Sequence, residues 1–430
     1  MQERNNLSRR QFLAISMAGA AALKASGTVS ASGHTYEGLL PAGSGRILAA
    51  SERGHILTLM NDNSGSFSRD RGETWGKPFP LMQQGKPMNV TRNHLVPLKG
   101  GSLGMVYAEE LSGAPARYAD HRVLRFATSR DGGRNWSKGS DIDLPGPGSG
   151  SSGAFLQVPF GRMTELSTGR LLLPVYWQFN GLHPETRRAM ATGMLDGYSI
   201  GLEGHAHRPQ MSGCFAYFSD DRGSTWQRSK GSIMVWPLPG ERSLGGFGGT
   251  AEPVVTELKD GSVLMLMRTK VGRFFQTRSE DGGENWHEAS PTALSTGDVP
   301  CDVDRLRNSG QLLVIWNQTS GDEIRNGYYR SRLSVATSAD EGKTWRNFKT
   351  VDSSPGLEPA GRLSPPPVAH IRVNPKVGKL PSGFFRCHYP SLAFSGDQVL
   401  MTYQYDTVEK GKRTRRIKLV RVPESWFLSA

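Results

Sequence analysis

The chain has 430 residues, of which 37% are hydrophobic and 21% are charged, a balance that excludes a largely disordered protein. Its 52 glycines and 26 prolines follow no repeating Gly-x-y period, which excludes collagen and indicates many turns. Three cysteines (Cys214, Cys301 and Cys387) are too few for a disulfide scaffold, and the formal net charge is +13.

The N-terminal residues are typical of a targeting segment rather than of a folded domain. Two arginines at positions 9 and 10 precede a short apolar run over 12–23, and a small-residue site follows at 29–31. This pattern resembles a twin-arginine export signal, and the run is too short for a stable membrane anchor. We therefore predict a signal peptide over 1–31 and an exported protein, periplasmic or secreted, over 32–430. Removal of the signal would lower the net charge to +10.

One octapeptide pattern, S-x-D-x-G-x-[T/N]-W, recurs five times. The copies occupy residues 68–75, 129–136, 219–226, 279–286 and 338–345. Their tryptophans are separated by 61, 90, 60 and 59 residues, a repeat length typical of propellers and solenoids. Serine and aspartate side chains can bind nearby backbone N–H groups, and glycine permits a tight reversal. Each copy therefore predicts a hairpin turn, whose closing tryptophan can pack between neighbouring sheets.

Alternating strand signals precede every octapeptide and predict an all-β fold. We expect a six-bladed β-propeller built of four-stranded antiparallel blades. The blades are predicted at about 37–80, 90–140, 155–230, 248–290, 298–350 and 383–426. The sixth lacks the octapeptide, and residues 416–422 could close the ring against the N-terminal strand.

The five octapeptides resemble the Asp-boxes of the sialidase (neuraminidase) superfamily. Six-bladed propellers of that superfamily carry these boxes on the rim away from the active site. The resemblance covers nearly the whole mature chain and implies the same fold. Non-enzymatic propellers also carry such boxes, so the boxes by themselves do not imply activity.

Four positions further along the chain resemble sialidase active-site motifs. In the segment A-E-P-V-V-T-E-L-K-D-G-S-V-L-M-L-M-R, the resemblance implies that Glu252 polarises the nucleophile and that Arg268 binds a substrate carboxylate. Arg330, which precedes the strand leading into the last box, matches a second carboxylate-binding arginine. In C-H-Y-P-S-L, Tyr389 matches the nucleophilic tyrosine.

The chemistry of a sialic acid explains these residue types. Its carboxylate lies beside the anomeric carbon, where arginines can bind it bidentately. An anionic nucleophile would be repelled there, whereas a neutral tyrosine that passes its proton to a glutamate is not. A separate acid must protonate the leaving oxygen.

Two placements remain for the third arginine and for this acid. The superfamily's first blade carries an arginine in a Y-R-I-P-like strand, followed by an aspartate that acts as acid and base. If that blade corresponds to the second predicted blade, the residues are Arg92 and Asp120, the placement that we favour. If it corresponds to the first predicted blade, the available residues are Arg46, Arg53 and Asp62.

Other motifs carry less chemistry. His205 and His207 have no third ligand at a suitable spacing, so we predict neither a metal nor another cofactor. The basic run over 410–421 alternates with apolar residues, which favours an edge strand with solvated charges over a nucleic-acid site.

We therefore predict an exported sialidase-like hydrolase that acts on an acidic glycan, with no nucleic-acid partner and no stable membrane anchor. Two alternatives stay open. One is a propeller that binds glycans or a protein without cleaving them, and the other is a hydrolase or lyase for uronate polysaccharides.

Overall fold

Strands make up most of the described part of the chain, so the fold is all-β as predicted. The computed structural model describes residues 34–51, 54–89, 91–110, 122–142, 155–179, 193–195, 198–200, 212–235, 249–368, 380–409 and 412–429. The first strands are β1 (Tyr36–Leu39), β2 (Ser44–Ala50), β3 (Ile56–Met60), β4 (Ser64–Ser68), β5 (Phe79–Pro80), β6 (Met82–Gln83), β7 (Lys86–Pro87), β8 (Thr91–Pro97), β9 (Leu103–Glu110), β10 (Arg122–Ser129), β11 (Asn135–Trp136), β12 (Ser140–Asp141), β13 (Phe155–Pro159), β14 (Thr164–Glu165) and β15 (Leu171–Phe179). The remaining strands are β16 (Gly193–Leu195), β17 (Tyr198–Ile200), β18 (Ser212–Ser219), β19 (Gln227–Arg228), β20 (Ala251–Glu257), β21 (Val263–Arg268), β22 (Arg273–Ser279), β23 (Ser290–Arg305), β24 (Leu312–Gln318), β25 (Arg332–Ser338), β26 (Arg346–Ser353), β27 (Phe385–Ser395), β28 (Gln398–Glu409) and β29 (Lys412–Pro423).

Most of these strands pair antiparallel with their neighbours in the sequence, in groups of four. The groups are β2-β3-β4-β5, β8-β9-β10-β12, β13-β15-β18-β19 with β14 also on β15, β20-β21-β22-β23, β23-β24-β25-β26, and β27-β28-β29-β1. Strand β23 serves two groups because its first part pairs with β22 and the part from Thr296 onward pairs with β24. We call the opening strand of each group its first strand.

The last group joins the two ends of the described chain. Strand β1 pairs with β29, with Tyr36 opposite Arg421, which is the predicted contact between the C-terminal run and the N-terminal strand. The prediction of an edge strand at 410–421 is therefore wrong, because β29 lies between β1 and β28. At least one charge of β29 is paired rather than solvated, because Nζ of Lys418 lies 2.8 Å from Oδ2 of Asp352. Local alternation could not reveal a covering strand that comes from the other end of the sequence.

Apolar side chains from neighbouring groups form the core between them. Leu57 of the first group packs with Leu95 and Met105 of the second, and the same pattern continues from group to group along the chain. The sixth group packs in turn on the first, because Leu419 and Leu400 share a cluster with Ile56. Burial of apolar side chains between sheets therefore stabilises the fold.

The octapeptides form the hairpin turns that the sequence predicts. In the third copy, Ser219 Oγ donates to Asp221 Oδ1 at 2.8 Å and accepts from the amide of Gly223 at 2.8 Å. Gly223 has φ +86°, and a Cβ at this position would lie 2.2 Å from Cδ1 of Phe126 in the preceding group. Glycine is thus required twice, for the left-handed backbone and for the close approach of two sheets.

Two short helices complete the described part of the fold. Helix α1 (Gly321–Arg325) begins with a capping box in which Ser320 and Glu323 satisfy each other's amides, and α2 (Ser425–Leu428) follows β29. In the part of the chain that the structure describes, no helix has the length and apolarity needed to cross a bilayer. The strands and helices all belong to one compact unit, His34–Ala430.

Candidate active site

Irregularities interrupt the first strands of the groups at corresponding positions near their beginnings. The pairing register shifts between Ser44 and Leu48, Thr91 and His94, Ala251 and Val254, Thr296 and Cys301, and His388 and Ser391. In the third group, the corresponding break separates β13 from β14 and contains Phe160, Gly161 and Arg162. The register shifts enclose Arg46, Arg92, Glu252, Asp298 and Tyr389. A β-bulge redirects a side chain away from the regular alternation, so these breaks are where a common site can be built.

Three of the bulge residues have a backbone conformation that is rare without glycine. Glu252 and Asp298 have φ +46°, and Tyr389 has φ +55°. Such residues cost roughly 1–3 kcal/mol each and cluster at active sites, where the surrounding structure maintains them. Backbone strain of this kind thus occurs at three residues whose side chains are linked, Tyr389 to Glu252 directly and Asp298 through Arg268.

Tyr389 and Glu252 form the centre of this meeting point. The phenol of Tyr389 donates a hydrogen bond to Glu252 Oε1 at 3.0 Å. The ring of Phe160 packs against Tyr389 with the centroids 6.0 Å apart. Burial raises the pKa of Tyr389, the negative charge of Glu252 raises it further, and the two arginines Arg268 and Arg330 oppose the shift. The phenol is therefore neutral at neutral pH and has an acceptor for its proton within hydrogen-bonding distance.

Arg268, at the end of β21, is held between two carboxylates. Its Nη1 contacts Glu252, and its Nε donates to Asp298 Oδ1 at 2.8 Å. Burial favours the neutral form of Asp298, but the charges of Arg268 and its neighbours Lys270 and Arg330 keep the pKa of this carboxyl below its ordinary value. Asp298 is consequently an anion that anchors Arg268, and it is a poor candidate for an acid.

Arg330 approaches the same phenol from the loop before β25. Its guanidinium carbon lies 5.4 Å from the centroid of the Tyr389 ring, and its Nη2 is 3.5 Å from the Asp298 carbonyl. The Arg330 carbonyl accepts from the amide of Cys387 at 2.9 Å, which fixes this loop to β27. The resemblance implied Glu252, Arg268 and Arg330, and these three residues thus converge with Tyr389 at one place.

Arg46 is a site residue that the favoured placement omitted. It lies in the bulge of β2, donates to the Pro390 carbonyl at 3.2 Å, and stacks 4.7 Å from the ring centroid of Phe160. Burial lowers the pKa of Arg46, although nearby anions, including Glu252, oppose the shift. The only local signal was a G-R-I-L stretch at the start of a strand, and the bulge that aims this arginine at the site is not readable from it.

The favoured placement, Arg92 and Asp120, remains a prediction. Arg92 lies in the bulge of β8, and its side chain, like the whole of Asp120, falls outside the described residues. Arg53 also falls outside them.

Asp62 is described: it follows β3, is exposed, and accepts from the Ser64 hydroxyl at 2.5 Å. Because Met60 is opposite Ser44 in the β2–β3 pair, Asp62 lies at the same end of its sheet as Arg46.

A buried carboxylate supports the strand that carries Tyr389. Asp302 Oδ2 accepts from the amide of Leu392 at 2.8 Å and from the Ser391 hydroxyl at 3.2 Å. The same carboxylate lies 3.3 Å from Nε of Arg162. Asp302 therefore links β23 to β27 directly after the bulge, and no sequence motif indicated it.

The octapeptide turns lie at the other end of the sheets. In the fourth group, Ser279 of the box lies opposite Val263, which lies opposite Glu257, so these three residues mark one end of the sheet. At the other end, Ala251, the residue before Glu252, lies opposite Arg268. The strand length thus separates the box from the bulge. Within the described residues, no cluster of three or more His, Cys, Asp or Glu side chains could hold a metal ion, and His205 and His207 lie outside them.

The site can therefore supply a neutral phenol, an adjacent carboxylate that can accept its proton, and guanidinium groups for an anion. Such a set suits attack on a carbon that lies beside a carboxylate, because no negative nucleophile is needed.

Comparison with known proteins gives one family and several similar structures. A family of BNR repeat-like domains matches residues 64–401. A protein of unknown function from Dyadobacter fermentans is 15% identical over 91% of this chain and 98% of its own length, with a TM-score of 0.57. Trypanosoma rangeli sialidase is 16% identical over 89% of this chain and 55% of its own, with a TM-score of 0.52. The leech intramolecular trans-sialidase is 14% identical over 98% of this chain and 73% of its own, also with a TM-score of 0.52.

At these identities the solved structures show a shared fold. Among curated proteins there is no significant match.

Proposed function

Because the chain belongs to the family of BNR repeat-like domains, we propose that it is a sialidase-like glycoside hydrolase that removes a terminal carboxylated sugar from glycans. The observation that supports this most directly is the hydrogen bond from Tyr389 to Glu252, with Arg46, Arg268 and Arg330 around it. The Trypanosoma rangeli sialidase, which shares the fold, has been solved with 2,3-difluorosialic acid as a covalent intermediate. That ligand is consistent with an acidic sugar as the substrate class.

In the proposed reaction, the Tyr389 oxygen attacks the anomeric carbon and its proton passes to Glu252 Oε1. The glycosidic bond breaks as an acid protonates the leaving oxygen, and water then hydrolyses the tyrosyl–sugar bond. The raised pKa of Tyr389 keeps the nucleophile neutral until attack begins. A charged nucleophile beside the substrate carboxylate would instead be repelled.

The substrate carboxylate is proposed to bind between the arginines. Guanidinium N–H groups form charge-assisted hydrogen bonds with carboxylates. Glu252 and Asp298 hold Nη1 and Nε of Arg268, and its Nη2 makes no hydrogen bond to a described residue. Arg46 and Arg330 contribute from the two sides, and Arg92 stays a candidate for the third position. The excess of basic residues over the whole chain would also favour the approach of anionic glycans.

The acid that protonates the leaving group has two candidates. Asp120 follows from the placement favoured by sequence. Asp62 follows from the other placement, which the position of Arg46 supports, because both lie at one end of the β2–β3 pair. Asp62 is exposed, as a group that must exchange protons with water during the cycle should be.

The architecture proposed for this enzyme is a six-bladed β-propeller of four-stranded blades. The six strand groups, the core shared by each group with the next, and the packing of the sixth group on the first all support a ring.

We also propose export by the twin-arginine route to the periplasm or beyond, with residues 1–31 as the signal. Cell fractionation after Arg9 and Arg10 are both changed to lysine would test that route, which predicts retention of the protein inside the cell.

The central experiment is hydrolysis of a fluorogenic sialoside by the purified protein and by Tyr389→Phe. Turnover by the wild type and at least a thousandfold loss in the variant are expected. Tyr107→Phe is the matched control, because Tyr107 lies in the second group and its hydroxyl accepts a hydrogen bond from Gln83 on β6. Equal turnover in Tyr389→Phe would remove the residue from the mechanism. Saccharide binding without product would favour a non-catalytic propeller, and a product lighter by one water from a uronate polymer would favour a lyase.

A further inference from the structure

A basic surface beside Tyr389 is not used by the proposed mechanism. Arg413 and Arg415 on β29 bind the carboxylate of Asp406 on β28, and Arg386 on β27 lies opposite Asp406 in the sheet. The sheet register places Arg386 opposite Asp406 and Asp406 opposite Arg415, so a row of charges crosses three strands. We call these three arginines the outer arginine cluster.

The carboxylate at the centre of this cluster is shared by several donors. Asp406 accepts from Nε of Arg413 at 3.1 Å and from Nε of Arg415 at 2.9 Å. His388 Nε2 is a third partner at 2.9 Å. Burial lowers the pKa of His388 to about 4, so this ring is neutral at neutral pH. Among the described residues, the cluster therefore sets the three guanidinium charges against the one carboxylate charge of Asp406, which is a positive excess.

The arginines keep donors that can reach solvent. The side chains of Arg413 and Arg415 are 51% and 50% exposed, and among the described residues neither Nη1 makes a hydrogen bond. The guanidinium carbon of Arg386 lies 5.1 Å from the ring centroid of Tyr329, its one polar or charged contact within the described part of the chain. Charged N–H donors in partly exposed positions are suited to carboxylate or sulfate ligands.

The cluster is continuous with the catalytic residues. The Tyr329 ring that faces Arg386 also faces Arg330, at 5.7 Å, and Arg330 lies over the Tyr389 ring. Arg386 and Tyr389 are three residues apart on β27, which corresponds to about 10 Å along a strand. A glycan held at Tyr389 could thus extend over the outer cluster without leaving the protein surface.

One substrate carboxylate does not account for this excess of positive charge. In the site itself, the guanidinium groups of Arg46, Arg268 and Arg330 outnumber the carboxylates of Glu252 and Asp298, so the site already has positive charge for the carboxylate of the sugar that is removed. The additional cations of the outer cluster have no counterpart in a glycan that carries only that carboxylate.

We propose that the outer arginine cluster binds a second anionic group, a sulfate ester or a carboxylate, on the sugar next to the one that is removed. The preferred substrates are then polyanionic glycans. This inference rests on the proposed hydrolase function and specifies the substrate class of the same site.

The test compares kcat/KM for three substrates at low ionic strength: sialyllactose, sialyllactose with a sulfate ester on galactose, and disialylated lactose. The wild type is expected to prefer one or both dianionic substrates about tenfold over sialyllactose. Comparison of the sulfated with the disialylated substrate shows whether the cluster prefers a sulfate or a carboxylate. In Arg386→Gln, the ratio of dianionic to monoanionic kcat/KM should fall by about tenfold, since one charge-assisted contact is lost. In 0.5 M salt the preference should also shrink, because exposed charges are screened.

Arg346→Gln, an exposed arginine on β26, is the matched control, and its ratio should equal that of the wild type. Arg413→Gln and Arg415→Gln should lower the ratio, and chemical unfolding would show whether either change disturbs the sheet. Equal kcat/KM for all three substrates in the wild type, or an unchanged ratio in Arg386→Gln, would overturn the inference. If none of the substrates is cleaved, the proposed function fails, and calorimetric binding of the same oligosaccharides to wild type and Arg386→Gln then decides the role of the cluster. Tighter binding of the dianionic compounds, weakened by the substitution, supports it, and equal binding excludes it.

Discussion

The hydroxyl of Tyr389 and Oε1 of Glu252 are 3.0 Å apart, although 137 positions separate the two residues in the chain. Both lie in bulges with positive φ, and the second oxygen of Glu252 contacts Arg268. The arrangement orients one oxygen toward the phenol and occupies the other. Glu252 can therefore receive a proton without turning away from the nucleophile.

Glu252→Gln should lower kcat for sialoside hydrolysis by about 10²–10⁴-fold, because an amide cannot accept the phenolic proton. KM should change much less, since the arginines still bind the substrate. Glu288→Gln, at an exposed position, is the control, and steady-state kinetics is the measurement. A loss of less than about threefold in Glu252→Gln would mean that another group accepts the proton.

Arg46→Lys should raise KM for a sialoside about tenfold or more, because an ammonium group cannot reproduce the planar guanidinium on Phe160. Arg92→Lys is the matched comparison, since it tests the placement favoured by sequence. We expect the larger effect at Arg46. A larger loss of kcat/KM in Arg92→Lys than in Arg46→Lys would instead assign the third carboxylate-binding arginine to Arg92 on β8.

The two candidate acids can be separated by the leaving group. If Asp62 is the acid, Asp62→Asn should lose about 10²–10⁴-fold on sialyllactose and much less on an aryl sialoside, whose leaving group needs no proton. Asp120→Asn should then behave nearly as the wild type on both substrates. The reverse pattern in the two variants would assign the acid to Asp120.

Gly223→Ala should destabilise the protein strongly, because the added Cβ would meet Phe126 at 2.2 Å in a backbone with φ +86°. Gly169→Ala is the matched control, since Gly169 has φ +89° and no atom within 4 Å of the added Cβ. The control should cost about 1–2 kcal/mol from backbone strain alone. Gly223→Ala should cost about 1–3 kcal/mol more from overpacking, as measured by urea denaturation. Equal losses would show that the two sheets can move apart freely.

Stability should fall as the pH is lowered from about 6.5 to about 4. Burial lowers the pKa of His388 from 6.5 to about 4, the charges of Arg330 and Arg415 act in the same direction, and Asp406 opposes them. Between those two pH values the unfolded chain binds a proton at this residue and the folded chain does not, so the loss amounts to about 3 kcal/mol at most. His388→Gln should flatten this part of the curve of unfolding free energy against pH. A curve of unchanged slope in the variant would assign the loss to other groups.

Much of the fold was readable from local sequence because its signals are local. The octapeptides carry their own turn chemistry, with Ser219 and Asp221 bonding amides within four residues. Alternating apolar residues predicted the strands, and the spacing of the boxes predicted the repeated groups. The edge-strand prediction for β29 failed because the alternation within a strand does not show whether a neighbour covers it, although the pairing of residues 416–422 with the N-terminal strand was predicted.

The candidate site was only partly predictable. Resemblance to a family singled out Glu252, Arg268, Arg330 and Tyr389, which converge in the structure. It did not single out Asp298, which anchors Arg268, or Asp302, which supports the Tyr389 strand. Anchoring carboxylates have no motif, because any residue that reaches from a neighbouring sheet can perform the role.

The sequence by itself determined that the chain repeats a hairpin unit, since the turn of each octapeptide is closed by hydrogen bonds between residues at most four positions apart. Only the tertiary structure decided that Arg46 belongs with Tyr389, because a bulge changes the direction of a side chain without changing the alternation that a sequence displays. The tertiary structure also decided the outer arginine cluster. Its basic residues resemble ordinary strand charges in the sequence, and only the pairing of β27, β28 and β29 brings them together. Long-range pairing and local irregularity, rather than composition, therefore bring the charges of this protein to one place.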